Sequence, residues 1–240
     1  MLFVVPGARA AFENLDVSGA TGPRPGFING GRGIWLRGST VRRSKIHDNH
    51  GAGIDGVEPR FLVDSSELLR NGSADTEGAN ASGMKIADAS FMTGNGTVQR
   101  TYAHDNTGNG LWTDCGATNV TLQDNTVVRN SRKGIFVEIS SGPIYVLRNT
   151  VKSNNSENQT TAGGIAVVSS QHVYVQNNSL AKNVYASINI VNDSRAGNSA
   201  TLPCQHGFVL SDILVSGNSL GGNPIYGCST SGVSCSGNTP

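Results

Sequence analysis

Asp114 and Glu138 share a local setting that suits chemistry. Each stands four residues after a glycine, in Gly110-Leu111-Trp112-Thr113-Asp114 and Gly134-Ile135-Phe136-Val137-Glu138, and each has an aromatic residue two positions earlier. They are 24 residues apart. If that separation is one turn of a coil of parallel strands, the carboxyls lie on neighbouring strands about 4.8 Å apart. Carboxyls roughly 5 to 5.5 Å apart allow one to attack an anomeric carbon while the other protonates the leaving oxygen. Their mutual repulsion keeps one of them protonated, as a general acid requires. The pairing therefore has retaining-glycosidase geometry. Trp112, Phe136 and Trp35 offer rings for the C–H face of a sugar, while Lys85, Arg37, Asp55 and Asp88 offer charged partners for its hydroxyls. The plainer reading is that these carboxylates are solvated, with Lys85 in a surface ion pair worth under about 1 kcal/mol.

A repeating frame positions these residues. The Gly-apolar start of the two segments recurs at Gly33-Ile34-Trp35-Leu36, Gly53-Ile54-Asp55-Gly56, Gly83-Met84-Lys85-Ile86 and Gly164-Ile165-Ala166-Val167, and as Ser187-Ile188-Asn189-Ile190. Side chains alternate along a strand, so residues one and three after the glycine face inward and those two and four after it face solvent. An apolar-x-x-Asn segment recurs at Asn49, Asn71, Asn106, Asn130, Asn154, Asn183 and Asn223, and a second Asn series, Asn125, Asn149, Asn178 and Asn218, aligns at an internal turn. Stacked Asn amides satisfy one another and the turn backbone. Each period carries at least two short strands. This predicts an all-β fold, a single-stranded right-handed parallel β-helix of about eight coils, in which loops vary and strands persist.

Composition agrees. Glycine at 31 residues with only 15% charged residues suits tight turns between strands, and no linker divides the chain, so residues 1–240 read as one domain ending in a last coil and tail over 200–240. A net charge of +1 with scattered Lys and Arg predicts no nucleic-acid partner, and no apolar run is long enough to predict a membrane span. Cys228 and Cys235 in the Gly/Ser-rich tail are candidates for a disulfide, with Cys204 as a competing partner, whereas Cys115 is expected as a buried thiol. The triplets His47-Asp48-Asn49 and His104-Asp105-Asn106 lie a coil apart from each other, so no metal site is expected. The opening MLFVVPGARA lacks a basic signal-peptide start and resembles the middle of a coil, which predicts a chain without its N-terminal cap. The cysteine-rich tail points to an extracellular or cell-surface location.

The segments GLWTD (110–114) and GIFVEISSGP (134–143) resemble the paired signature of the β-helical β-xylosidases of glycoside hydrolase family 120. That resemblance implies Asp114 as nucleophile, Glu138 as acid/base, Trp112 and Phe136 lining the sugar site, and Lys85, in GMKIADA, contacting substrate. It covers about 60 residues. Elsewhere the chain resembles right-handed β-helix repeat proteins, relatives of pectate lyases and mannuronan epimerases. The leading expectation is thus a retaining glycosidase acting on an oligo- or polysaccharide without cofactors. One alternative is lyase or C5-epimerase chemistry on uronic acids, with Lys85 or Arg37 holding the carboxylate. That chemistry needs a positive groove, whereas the outward positions show more carboxylates than cations near the centre. Another is a glycan-binding or structural β-helix of a surface protein or phage fibre. Oligomeric state is not legible.

Overall fold

Most periods fold into three short strands, because the stretch between the two Asn series forms a strand of its own. The computed structural model describes residues 2–3, 9–21, 31–58, 60–73, 81–87, 95–197 and 208–240, excluding the side chains of Phe3, Val57 and Glu58. The strands stack into three parallel sheets of nine, nine and seven strands. The first sheet carries the Gly-apolar starts and includes Ile34–Arg37, Ile54–Glu58, Ser82–Ala87, Asn109–Asp114, Ile135–Glu138, Ile165–Val168 and Ile188–Val191. Each strand pairs with its equivalents one coil before and after, and the register matches the aligned sequence, for example Leu111 with Ile135 and Trp112 with Phe136. The architecture is a parallel β-helix.

Inward alternation builds its core. Ile34, Leu36, Met84, Leu111, Ile135, Val137, Ile165, Val167 and Ile188 from the first sheet pack against Val63, Leu122 and Val146 from the second and Ile46, Leu68 and Val127 from the third. Each such side chain, removed from water, stabilises the fold by about 1.5–3 kcal/mol. Thr113 is the polar exception in this row; it is fully buried, and its Oγ1 shares a hydrogen bond of 3.1 Å with Ser140 Oγ.

The two Asn series are continuous ladders at the two ends of the third sheet. In one, Asn49, Asn71, Asn106, Asn130 and Asn154 each donate from Nδ2 to the next Oδ1, at 2.9 to 3.1 Å, the run ending at Asn183. The other runs through Asn125, Asn149, Asn178, Asn218 and Asn238 at 2.9 to 3.0 Å, and Thr101 hands its backbone N–H to the Asn125 amide. Asn223 stands outside the ladder, donating instead to the backbone carbonyl of Asn183. The residue before each rung turns the corner in the left-handed region: Asp48, Arg70, Asp105, Arg129, Ser153 and Lys182 have φ of 49 to 55°. Such a conformation costs a non-glycine residue roughly 1–2 kcal/mol. The ladder offsets that cost by satisfying the corner's buried backbone groups.

The ladder also dictates the glycine column. A Cβ at Gly110 would lie 2.5 Å from the carbonyl oxygen of Gly134 and 2.8 Å from Asn130 Nδ2. Where a rung stands, no side chain fits between it and the next coil, so those first-sheet segments open with glycine, and Ser187 takes the place only at the coil where Asn223 has left the ladder.

Two cysteine expectations meet different outcomes. Cys228 and Cys235 form a disulfide with their Cα atoms 5.7 Å apart. Cys115 is not a thiol but is itself disulfide-bonded, and Cys204 lies outside the described residues. The alternation that placed Cys115 inward ends at Asp114, since Cys115 has a φ of 54° and opens a turn. The two His-Asp-Asn corners hold carboxylates: His47 bridges Asp48 and Asp16, and His104 bridges Asp105 and Glu67. Among the described residues no cluster of His, Cys, Asp or Glu could hold a metal ion, and no helix is long and apolar enough to cross a membrane.

Asn130→Ala tests the ladder. It takes the shared acceptor from the backbone N–H and Nδ2 of Asn106 and the amide donor from Ala103 O, and leaves Asn154 Oδ1 with only the backbone N–H of residue 130. A loss of about 2–4 kcal/mol is expected in denaturant unfolding, several of these groups being fully buried. Arg129→Ala at the adjoining corner removes an exposed ion pair with Asp105 and long contacts to Tyr102 and His104, and should cost about 1 kcal/mol.

Candidate active site

The outer face of the first sheet carries two parallel rows. Two residues after each glycine, register pairing joins Trp35, Asp55, Lys85, Trp112, Phe136, Ala166, Asn189 and Tyr226 in consecutive coils. Four residues after, Ala87 pairs with Asp114 and Glu138 with Val168. Continuing the Thr113–Val137 pairing by one step sets Asp114 beside Glu138. Arg37 enters the second row through a register shift that pairs it with Glu58. The Asp88 position lies outside the described residues.

These side chains face away from the core, yet they are not solvated as alternation alone predicts. Trp35, Asp55, Lys85, Trp112, Asp114 and Phe136 are only 4 to 7% exposed. They cover one another, and basic residues fold over them from the connecting segments. Trp112 stacks on Phe136, ring centroids 5.4 Å apart. Lys85 Nζ stands 3.8 Å from the Trp112 centroid and Lys133 Nζ 4.5 Å from that of Phe136. Arg32 and Arg37 approach the Trp35 ring at 4.8 and 5.7 Å. Such cation–ring contacts strengthen when desolvated. Faces of Trp112 and Phe136 expected to pack on a sugar are therefore taken by each other and by ammonium groups, which leaves their edges.

The carboxylates differ in their partners. Asp114 accepts from Lys85 Nζ at 2.8 Å through one oxygen and from the Cys115 backbone N–H at 2.7 Å through the other, a set of donors that suits an ionised carboxylate. Asp55 is ion-paired with Arg32. Glu138 accepts from Arg195 at 2.5 Å, and Arg195 also holds Asp193. Burial pushes the Glu138 pKa above its ordinary 4.5 and the Asp114 charge adds to that push, against the pull of Arg195. Burial likewise lowers the Lys133 ammonium below 10.5.

Lys133 differs from the other cations here. Its Nζ donates to Gln159 Oε1 at 3.1 Å, and among the described residues no carboxylate lies within ion-pair distance of it. Cations from the connecting segments thus join the carboxylates on this face, Glu58 and Asp88 lying outside the described side chains. Arg32, Arg37, Lys85, Lys133 and Arg195 gather against Asp55, Asp114, Glu138 and Asp193. Sequence reasoning missed Arg32, Lys133 and Arg195. The first two immediately precede the aligned glycines Gly33 and Gly134, a legible position, whereas Arg195 lies 57 residues from Glu138 and leaves no local trace.

The sequence pattern of a family described as the right handed beta helix region matches residues 2–180, with an overlapping second match over 93–203. The chain belongs to that family. No curated protein sequence matches this β-helix. Among solved structures, it is similar to the mannuronan C-5 epimerase AlgE6 A-module of Azotobacter vinelandii, with a TM-score of 0.67 and 17% identity over 96% of this chain and 56% of that one. The periplasmic alginate epimerase AlgG gives 0.70 and 16% over 87% and 47%. An alginate lyase from Paenibacillus sp. str. FPU-7 gives 0.55 and 12% over 96% and 73%. These likenesses are of fold, and the β-helix described here spans about half the length of either epimerase chain.

Carboxyl titration followed by ¹³C NMR should place Glu138 above the ordinary glutamate range. Asp114→Asn removes a neighbouring negative charge and leaves Lys85 unneutralised, so the Glu138 midpoint should fall; an unchanged midpoint would mean that the two carboxyls do not interact.

Proposed function

We propose that the first-sheet face acts on a polysaccharide containing uronic acids, by proton transfer at C5. The observation that carries this is Lys133, a mostly buried ammonium beside Phe136 with no carboxylate partner among the described residues. A uronate carboxylate supplies the missing anion, and its neutralisation acidifies the C5 proton. Glu138, at the far end of the same strand from Lys133, takes that proton in its ionised form. The resulting enolate then either regains a proton on the opposite face, inverting C5, or expels the C4 oxygen with the electron pair of the C4–O bond, leaving a C4–C5 double bond. The cations gathered on the face and the fold likeness to alginate epimerases and an alginate lyase support this reading, alginate being a polymer of uronic acids. The Cys228–Cys235 disulfide supports an extracellular or cell-surface setting.

A second reading rests on Asp114 and Glu138. Adjacent coils hold one carboxylate tied to an ammonium and another pushed toward protonation, the division of labour of a retaining glycosidase.

One experiment separates the two. Incubation with alginate and other polyuronates in D2O, followed by NMR and ultraviolet absorbance, should show deuterium entering at C5 or unsaturated ends appearing. Glu138→Gln should lower kcat by about 10²–10⁴-fold, and Lys133→Gln should both raise KM and lower kcat, because that ammonium holds the carboxylate and acidifies the C5 proton. Reducing ends released with neither C5 exchange nor unsaturation would replace the proposal with the glycosidase reading.

A further inference from the structure

The indole N–H of Trp112 is a buried donor with no acceptor among the described residues. Trp112 is 5% exposed, and in native proteins such a group is nearly always paired, because leaving it dry forfeits its bond to water without replacement. Nothing about folding requires it. A phenylalanine, as at the equivalent position of the next coil, keeps the stacked ring without the donor. The surroundings also restrict what the indole can do. One ring contact is with Phe136 and another with the Lys85 ammonium, so neither face is open to a sugar ring. The edge remains, and on this strand Trp112 stands two residues before Asp114.

We infer that Trp112 is a ligand-binding residue that acts through its edge, its Nε1–H donating a hydrogen bond to an oxygen of the bound saccharide beside the Asp114–Glu138 pair. This deepens the reading of the face as a polysaccharide site and rests on it. The Lys85 and Phe136 contacts fix the ring plane, and since Nε1 is itself covered, the ligand must displace the atoms over the indole edge to reach it. An oxygen acceptor, whether hydroxyl or carboxylate, completes the pairing, whereas a ligand lacking one at that point leaves the donor dry. Discrimination of that kind is strong because it penalises the wrong ligand.

The chain has two tryptophans, so its indole N–H groups give two resolvable NMR signals, and Trp112→Phe assigns them. Titration of the whole protein with alginate oligosaccharides should move the Trp112 signal downfield and saturate at the dissociation constant found by calorimetry. Trp112→Phe should weaken that binding by about tenfold, the worth of one hydrogen bond, without lowering the unfolding temperature as a lost structural bond would. Calorimetric binding with the Trp112 signal unmoved, or equal affinity in Trp112→Phe, would overturn the inference and leave the polysaccharide reading standing. No calorimetric binding of acidic or neutral oligosaccharides would overturn both.

Discussion

The amide ladder at the corners is the interaction on which the rest depends. A coil must reverse direction within a few residues, and it does so with a left-handed residue that most side chains disfavour. What makes that affordable is the Asn that follows, whose amide pairs with its neighbours above and below and with the carbonyls of the turn. From this follow the glycine column, the fixed offset between corner and strand, and the constant register along the first sheet. The two rows of outer side chains therefore keep their alignment although successive coils differ in length by many residues. An active face built on such a frame is positioned by backbone pairing and needs no bespoke scaffold of its own.

The repeat was readable because it is imposed by backbone geometry, which leaves the same signature in every coil. The Gly-apolar alignment gave the first-sheet register, and the Asn series gave both corners, because neither position tolerates substitutes easily. The third strand of each period was harder to see, being three residues long in most coils, with a single inward side chain such as Ile46, Val127 or Val151. Alternation has nothing to count over that length.

The candidate site was only half legible, for a different reason. Strand periodicity says which way Trp112, Asp114, Phe136 and Glu138 point, but not what folds over them. Burial of the outer face comes from residues outside the repeat, with Lys133 and Arg32 at strand entrances and Arg195 in a distant connection. Counting charge only at repeat positions therefore missed these cations. The same blindness applies to Cys115, whose disulfide has no period to betray it.

Arg195 also bears on how the protein is assembled. It follows the first-sheet strand Ile188–Val191, two coils beyond the strand that carries Glu138, yet it supplies the direct cationic partner of that carboxyl. During synthesis the coils emerge in order, and those bearing Asp114 and Glu138 can stack well before Arg195 leaves the ribosome. The carboxyl pair is thus incomplete until later coils have docked, so this face takes its final charge only after the strands that carry it have stacked.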